Sequence, residues 1–560
     1  MTLSNNVVPP IDPFGDMALT AGNAALSRGQ VVAAPPGGVP SLARLAYSRL
    51  GFGPRPGDPD FNDAISLNAY IDQQLAIESI DDSACDTAIA ALSRQEIIWD
   101  VTITPVAVPT LDATVEQLRN YDDSSKARRV YAPEQLWKYL GRVTYARAAL
   151  SKRQLYEVMV DFWGNHFNVD FRGQWLRYWE DANVIRPNAL SNFRDLLGAS
   201  ARGPAMLEYL SNASNDGANP NENYAREVME LHTMGSINRN AGDPRLGLPN
   251  YSELDVHTLA RVFSGWTTYR TQNGEFGFND SNNWPTHDYT AKELWLGNDA
   301  KFFIPIGGEE QADMAMDILS DQPSTAWFVS RKLCRRFIAD NPDGFCPVVI
   351  ADGAAAFIAN HGDIRATLGA ILKANHPGAD FKSSWGQKVK RPFEFYISAI
   401  RALGGGFPPP YTGTDVEDWE LRDKHANTGQ SLFEAAPPTG YPDFMPAWMN
   451  SNQVFSRWNL ANVLVRRYFG EQDPSGTLAA VTNTALDVLI GASAATMSAT
   501  QVVDRMTIQF YGRSMDPLDR TALISYLSTG GPSANVSSSN NTRLRPFLGV
   551  MLAAPYFQWR

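Results

Sequence analysis

Glu227 and Glu230 stand three residues apart in the run Asn221-Glu-Asn-Tyr-Ala-Arg-Glu-Val-Met-Glu-Leu-His-Thr-Met-Gly235. On a helix that spacing makes neighbours. Two adjacent carboxyls push one pKa upward, so one can donate a proton near neutral pH while the other accepts or attacks. At about 100° per residue, Tyr224, Val228, Leu231 and Gly235 line one apolar face, and Asn223, Glu227, Glu230 and Met234 run along its edge. A helix bathed in solvent needs no such order, so this one is expected to line a polar interior, with Asn223 and Arg226 as binding groups. His232 falls about 140° round from Glu227 and cannot share an ion with it from this helix alone. A divalent metal would therefore need His166, Glu227, His287 and Asp288 drawn from separate segments. The competing reading is a buried ion network in which Arg226 pairs with Glu222 or Glu230.

Two more segments could complete such a site. In Phe162-Trp-Gly-Asn-His-Phe-Asn-Val169, His166 continues the stripe Leu155, Val158, Met159, Phe162 and so points inward near a helix C-terminus, beside Trp163 and Asn165. A core histidine bonded to backbone is the bland alternative. In His287-Asp288-Tyr-Thr-Ala-Lys292, imidazole, carboxylate and amine share one loop, the kind of segment that closes over a substrate. The proposed catalytic set is thus Glu227, Glu230, Asp288, His166 and His232; Trp163, Asn165, Asn223, Arg226, His287 and Lys292 would bind.

The elements that must carry these groups are helices. Helical spacing marks 41–50, 133–149, 152–166, 188–199, 221–234, 252–266, 323–340, 347–359, 363–374, 390–403, 452–469, 474–491, 499–510, 516–528 and 545–554. Phe276-Gly-Phe278 and Leu294-Trp-Leu296 flank a polar loop and predict a small β-hairpin flap over 270–306. Residues 94–128 are poorly periodic and read as an insertion, and the Pro/Gly-rich residues 1–40 as an extended arm. The fold class is all-α: a large multi-helix single unit over 41–560.

Composition narrows the function. The chain has 560 residues, with 44% hydrophobic and 19% charged, ordinary for a globular protein. A net charge of −12 argues against nucleic acid as a partner. The one basic run, Arg331-Lys332-Leu-Cys-Arg335-Arg336, is expected to be a solvated or salt-bridged helix face. Three cysteines, Cys85, Cys334 and Cys346, cannot form a disulfide framework and are expected to be buried thiols. No transmembrane segment and no secretory signal is visible. The metalloprotease, nucleotide-phosphate, nucleophile-elbow and dinucleotide motifs are all missing.

Several segments together resemble a bacterial family catalogued as domain of unknown function 1800. They are Leu45-Ala-Tyr-Ser-Arg-Leu-Gly-Phe-Gly53, Phe162 to His166, the run 221–235, Ala260-Arg-Val-Phe-Ser-Gly-Trp266 and His287-Asp288 with Lys292. Pro323 to Leu333, Lys390-Arg-Pro-Phe-Glu394, Trp448 with Asn450, and Ala554-Pro-Tyr-Phe-Gln558 follow in chain order. The resemblance spans residues 41–560 and implies one large helical unit. Members are usually exported and often encoded beside another exported family of unknown role, so location stands open between cytoplasm and exterior. The family assigns no catalytic residues. With 14 Trp and 20 Tyr beside the paired carboxylates, the residues favour a hydrolase, metal-assisted or glycosidase-like, acting on an extracellular polymer such as a polysaccharide. The alternative is a non-catalytic surface or assembly protein that binds a protein partner through its arm and loops. A haem oxidoreductase loses support because Cys-x-x-Cys-His is missing.

Overall fold

Helices begin where the chain supplies side-chain oxygens to the first free backbone N–H groups. The computed structural model of the protein describes residues 34–560 apart from 99, 101, 173–174, 241, 269–274, 280–283, 298–299, 408–422, 470–488, 490–496, 529–535 and 537–542. Ser41 accepts from the Arg44 N–H at 3.3 Å and opens Leu42–Arg49. Ser252 and Asp255 form a capping box for Glu253–Val262, and Ser498 with Gln501 one for Ala499–Tyr511. Gly512 ends the latter in the left-handed conformation at φ 65°, where a side chain would also run into Arg44. Proline at the first turn starts Pro323–Phe337, Pro347–Ala359, Pro392–Ala402 and Pro517–Leu527.

The fold is mostly α with two small antiparallel pairs. Residues from Pro35 to Arg560 belong to one compact unit. One hydrophobic core reaches from Leu45 to Phe557, and a smaller one gathers Leu118, Trp137, Leu140 and Tyr178. Among the described residues no helix is long and apolar enough to cross a membrane. All three cysteines are buried and unbridged.

Several expectations need correction. The segment 94–128 holds a regular helix, Val115–Ala127, started by a Thr114–Gln117 capping box. Its base is sealed by buried Glu96, which accepts from Arg128 and from the Tyr121 hydroxyl, each at 2.7 Å. Helices Ala64–Leu75, Ser83–Ala90 and Glu310–Ser320 were not expected either. Phe278 and Leu294 do not belong to one hairpin. Gly277–Phe278 pairs with Trp266–Thr267, and Lys292–Leu296 pairs with Ala300–Ile304. The second pair lies on the Glu253–Val262 helix and buries Lys292, Leu294 and Leu296, so that part of 270–306 is packed rather than free. Of the arm, residues 1–33 lie outside the described residues, as does nearly all of the helix expected at 474–491. Residues 35–38 are pinned by Arg513, whose Nη1 donates to the Pro35 and Gly38 carbonyls.

Of the two readings of the basic run, the salt-bridged one is observed and the solvated one is not. Arg331 is buried against Asp343 at 2.5 Å, and Arg336 is 1% exposed. Arg336 donates to buried Glu394, which also accepts from the Arg391 N–H at 2.8 Å and lies 3.0 Å from Arg560 Nη1. Arg391 reaches Asp161 as well, and Lys388 holds Asp340 at 2.7 Å. Four distant segments are thereby tied by charge inside the core. The Arg336 charge, after burial itself, is the main influence on Glu394 and holds its carboxyl well below the usual range.

Candidate functional site

The inward stripe of Gln154–His166 is observed: Leu155, Val158, Met159, Phe162 and His166 are all buried. His166 is 2% exposed. Its Nε2 lies 3.0 Å from the His232 carbonyl and its Nδ1 2.8 Å from the Lys332 amine. A carbonyl only accepts, so Nε2 carries the proton and Nδ1 is the bare nitrogen that accepts from Lys332. Burial, followed by the nearby Lys332 charge, pushes the His166 ring far below the ordinary histidine range. The ring is neutral.

His232 reaches this place through a wide turn. Glu222–Glu227 is α-helical, but Val228–His232 is a π-helix, which shifts every later side chain off the 3.6-residue wheel. The His232 ring sits 5.0 Å from Phe167 and 6.1 Å from His166. Both its ring nitrogens are buried without a hydrogen-bond partner. Burial and the Lys332 charge lower it to about 3.

Lys332 completes the group from Pro323–Phe337. Burial first, then the Arg335 charge, lowers its amine to about 7. The residue keeps partial contact with solvent and runs beside Phe328, whose ring lies 5.4 Å from Nζ. An amine that burial brings near neutrality, bonded to an imidazole that burial keeps neutral, can take up or release a proton. Sequence reasoning missed Lys332 as a site residue. The available signal was a basic run inside an otherwise apolar helix of an acidic protein.

The other expected residues fall elsewhere. Glu227 and Glu230 are half-buried, and the Tyr251 hydroxyl donates to Glu230 at 3.0 Å. Burial, then the Glu230 charge with Glu227 behind it, drives the phenol far above its usual range. Arg226 pairs with Glu253 at 2.7 Å and Glu222 at 3.5 Å on the surface. Asn223 is exposed and donates to the Leu210 carbonyl at 3.2 Å. Trp163 is fully buried and donates to the Ala189 carbonyl at 3.0 Å.

His287, Asp288 and Lys292 make a separate polar knot. His287 Nδ1 meets the Ser264 carbonyl at 2.7 Å and Nε2 meets Gln311 Oε1 at 3.2 Å. Asp288 accepts from Arg261 Nε at 2.6 Å, and Lys292 donates to the Thr290 carbonyl at 2.9 Å and to Gln311. These bonds fasten the strand pair to the body. Among the described residues no three His, Cys, Asp or Glu side chains come together as metal ligands. His166, Glu227, His287 and Asp288 therefore do not form the single donor set that a shared divalent ion would need.

On its other flank the Gln154–His166 helix lines a cavity of about 50 Å³, bounded by Glu157, Asp161, Asn165, Asp181, Arg186 and Tyr441 among others. Arg186 holds Glu157 at 2.8 Å and Asp181 at 3.1 Å. Asn165 is clamped to Tyr441, donating to its carbonyl at 2.8 Å and accepting from its N–H at 2.7 Å. Nearby Glu180 accepts from the Met206 N–H at 2.9 Å, yet burial raises its carboxyl to about 7. A raised folded-state pKa means stability present below the unfolded value of 4.5 is lost as pH rises through 7. Glu180→Gln keeps the acceptor and removes the ionisation. It is expected to stabilise the protein by about 3 kcal/mol at pH 8 and by about 1 kcal/mol at pH 5, checked by urea unfolding at both values. Equal effects at both would refute the raised carboxyl.

A helical body with a buried imidazole–amine pair at its solvent edge defines a class of fold and site, not yet a reaction. The family model described as "Protein of unknown function (DUF1800)" matches residues 45–559, nearly the whole chain, and the protein belongs to that family. No curated protein and no solved structure matches it.

Proposed function

We propose that the protein is a hydrolase that works by acid–base chemistry and acts on a polymer such as a polysaccharide. The observation that carries this reading is the Lys332 amine near neutrality, 2.8 Å from the bare Nδ1 of His166. Deprotonated Lys332 takes a proton from water or a substrate hydroxyl, and His166, locked as the Nε2–H tautomer, keeps the amine oriented. The Glu230–Tyr251 pair is a second proton-handling group, on the helical run that ends at His232, with Glu227 one turn before Glu230. Trp295 and Phe303 present exposed rings on one face of the second strand pair, a surface on which sugar rings can stack. That pair packs on the Glu253–Val262 helix, itself against Glu222–Glu227.

A binding protein without catalysis is the second reading, favoured by the bonded state of His287, Asp288 and Lys292 and by the exposed Trp295, Phe303 and Ile306. The test is release of new reducing ends from a polysaccharide panel by wild type, Lys332→Met and Glu230→Gln, with elemental analysis of the same preparation. Hydrolysis lost by at least about 100-fold in Lys332→Met, with folding intact, supports the enzyme. Retention of a polysaccharide on the column without cleavage supports the binder.

A further inference from the structure

A cavity of about 470 Å³ lies between the helices Ser451–Phe469, Pro517–Leu527 and Leu544–Ala553. That is the size of a site for a small organic molecule. Trp458, Tyr511, Met515, Leu523, Val550 and Met551 give it an apolar wall. The polar groups of that wall are already engaged. Trp458 Nε1 donates to the Ala553 carbonyl at 2.9 Å, the Tyr511 hydroxyl to the Met551 carbonyl at 2.8 Å, and the Asn462 amide to the Trp458 carbonyl at 3.1 Å. The Tyr556 hydroxyl donates to Asp519 at 2.6 Å and accepts from the Asp516 N–H at 3.0 Å. Among the described residues no Lys, Arg or His lines the cavity, and its one charged group is the solvent-facing carboxylate of Asp519, which forms no salt bridge.

We propose that this cavity binds an amphipathic amine, its hydrocarbon body against Trp458, Leu523, Met515 and Met551 and its ammonium at Asp519. The wall returns nothing to a buried polar group, so whatever fills the hollow must gain by leaving water, as a hydrocarbon does. An anionic head would meet neither a cation nor a free side-chain donor, and would face a carboxylate instead. An ammonium finds in Asp519 an acceptor of opposite charge at the place where it can stay hydrated. The two methionines let the wall follow the shape of the chain that enters. Outside the cavity the apolar surface continues from Trp458 to Phe455, whose ring meets it edge-on at 5.0 Å and is 59% exposed, a path along which a longer chain can lie.

The probes are dodecylammonium, dodecanol and dodecanoate, one chain with three heads, titrated below micelle formation at matched ionic strength. Methyl NMR of Met515 and Met551, with signals identified by Met515→Leu and Met551→Leu, reads the site itself. Dodecylammonium is expected to shift both signals and to bind about five times more tightly than dodecanoate, with dodecanol between. Asp519→Asn keeps an acceptor for Tyr556; it should leave dodecanol binding unchanged and abolish the preference among heads. Ala522→Trp, at an exposed position of the Pro517–Leu527 helix, fills the hollow and should weaken all three ligands by at least about tenfold. Should that variant fail to fold, Asp519→Asn decides alone. Unmoved methionine signals, equal affinity for the three heads, or binding that survives in folded Ala522→Trp would each overturn the proposal.

Discussion

Glu394→Ala is expected to destabilise the protein by about 4 kcal/mol, because it takes from buried Arg560 the carboxylate it pairs with and leaves buried Arg336 and Arg391 to share Asp161. Glu394 is 2% exposed and is shared by Arg336, Arg391 and Arg560. Removing one partner of a buried charge pair costs far more than the pair contributes, since the remaining charges stay desolvated. Glu394→Gln keeps an acceptor for the Arg391 N–H and should fall between wild type and alanine. A double variant, Glu394→Leu with Arg336→Leu, removes charge from both sides and should recover part of the loss. Guanidinium unfolding at pH 7 measures all three. A loss below about 1 kcal/mol for the alanine would mean that the contacts between these segments are held by packing alone.

The second large effect is acid unfolding driven by buried histidines. His232 and His425 are each lowered by burial to about 3, and His166 also lies well below the ordinary value. The unfolded chain binds protons at these rings from about pH 6.5 downward, while the folded one does not. Stability is therefore full above pH 6.5 and is lost as pH falls toward 3. At pH 4.5 each of the two rings at about 3 withdraws about 2.7 kcal/mol. Glu180 opposes them, since its raised carboxyl favours folding as pH falls, but it is one group against three. Lys332, lowered to about 7, has already lost its share by neutral pH. Loss of the folded state near pH 4.5, followed by near-ultraviolet circular dichroism, is the expected result.

His232 allows a sharper version of that experiment. Its neighbours are Phe167, Tyr224 and His166, and neither ring nitrogen has a partner to lose. His232→Phe should leave stability at pH 7 unchanged within about 1 kcal/mol and move the acid midpoint down by about half a pH unit. A large loss at pH 7 would show that the imidazole is bonded to something in the working protein, and the hydrophobic account of this ring would fall.

Much of the fold could be read from local chemistry. Apolar stripes at helical spacing and caps such as Ser252 and Ser498 act within a few residues, so Gln154–His166 and Ala499–Tyr511 were legible, and so was the inward aim of His166. Val115–Ala127 was not, although its Thr114–Gln117 box was present, because the preceding stretch has no period. The π-turn at Val228–His232 escaped as well: backbone bonds that reach one residue further than the wheel assumes leave no mark in composition. The partners of the site are set by contacts across long stretches of chain. Lys332 and His166 are 166 residues apart, and Glu394 meets Arg336 over 58. Pattern along the chain picked out Arg331 to Arg336 as a basic run and read it as a solvated or salt-bridged face, but it could not say whom each charge meets.

The His166–His232 contact has one more implication. A helix leaves its last carbonyls open, and here the closing donor for His232 is an imidazole from another part of the chain. The terminus of one segment is thus stapled by a buried imidazole of another, and neither is complete until both are in place. A replacement at position 166 takes away that closing donor as well as the ring, so the effect of such a variant on any function is read only beside a measure of local amide exchange at 228–234.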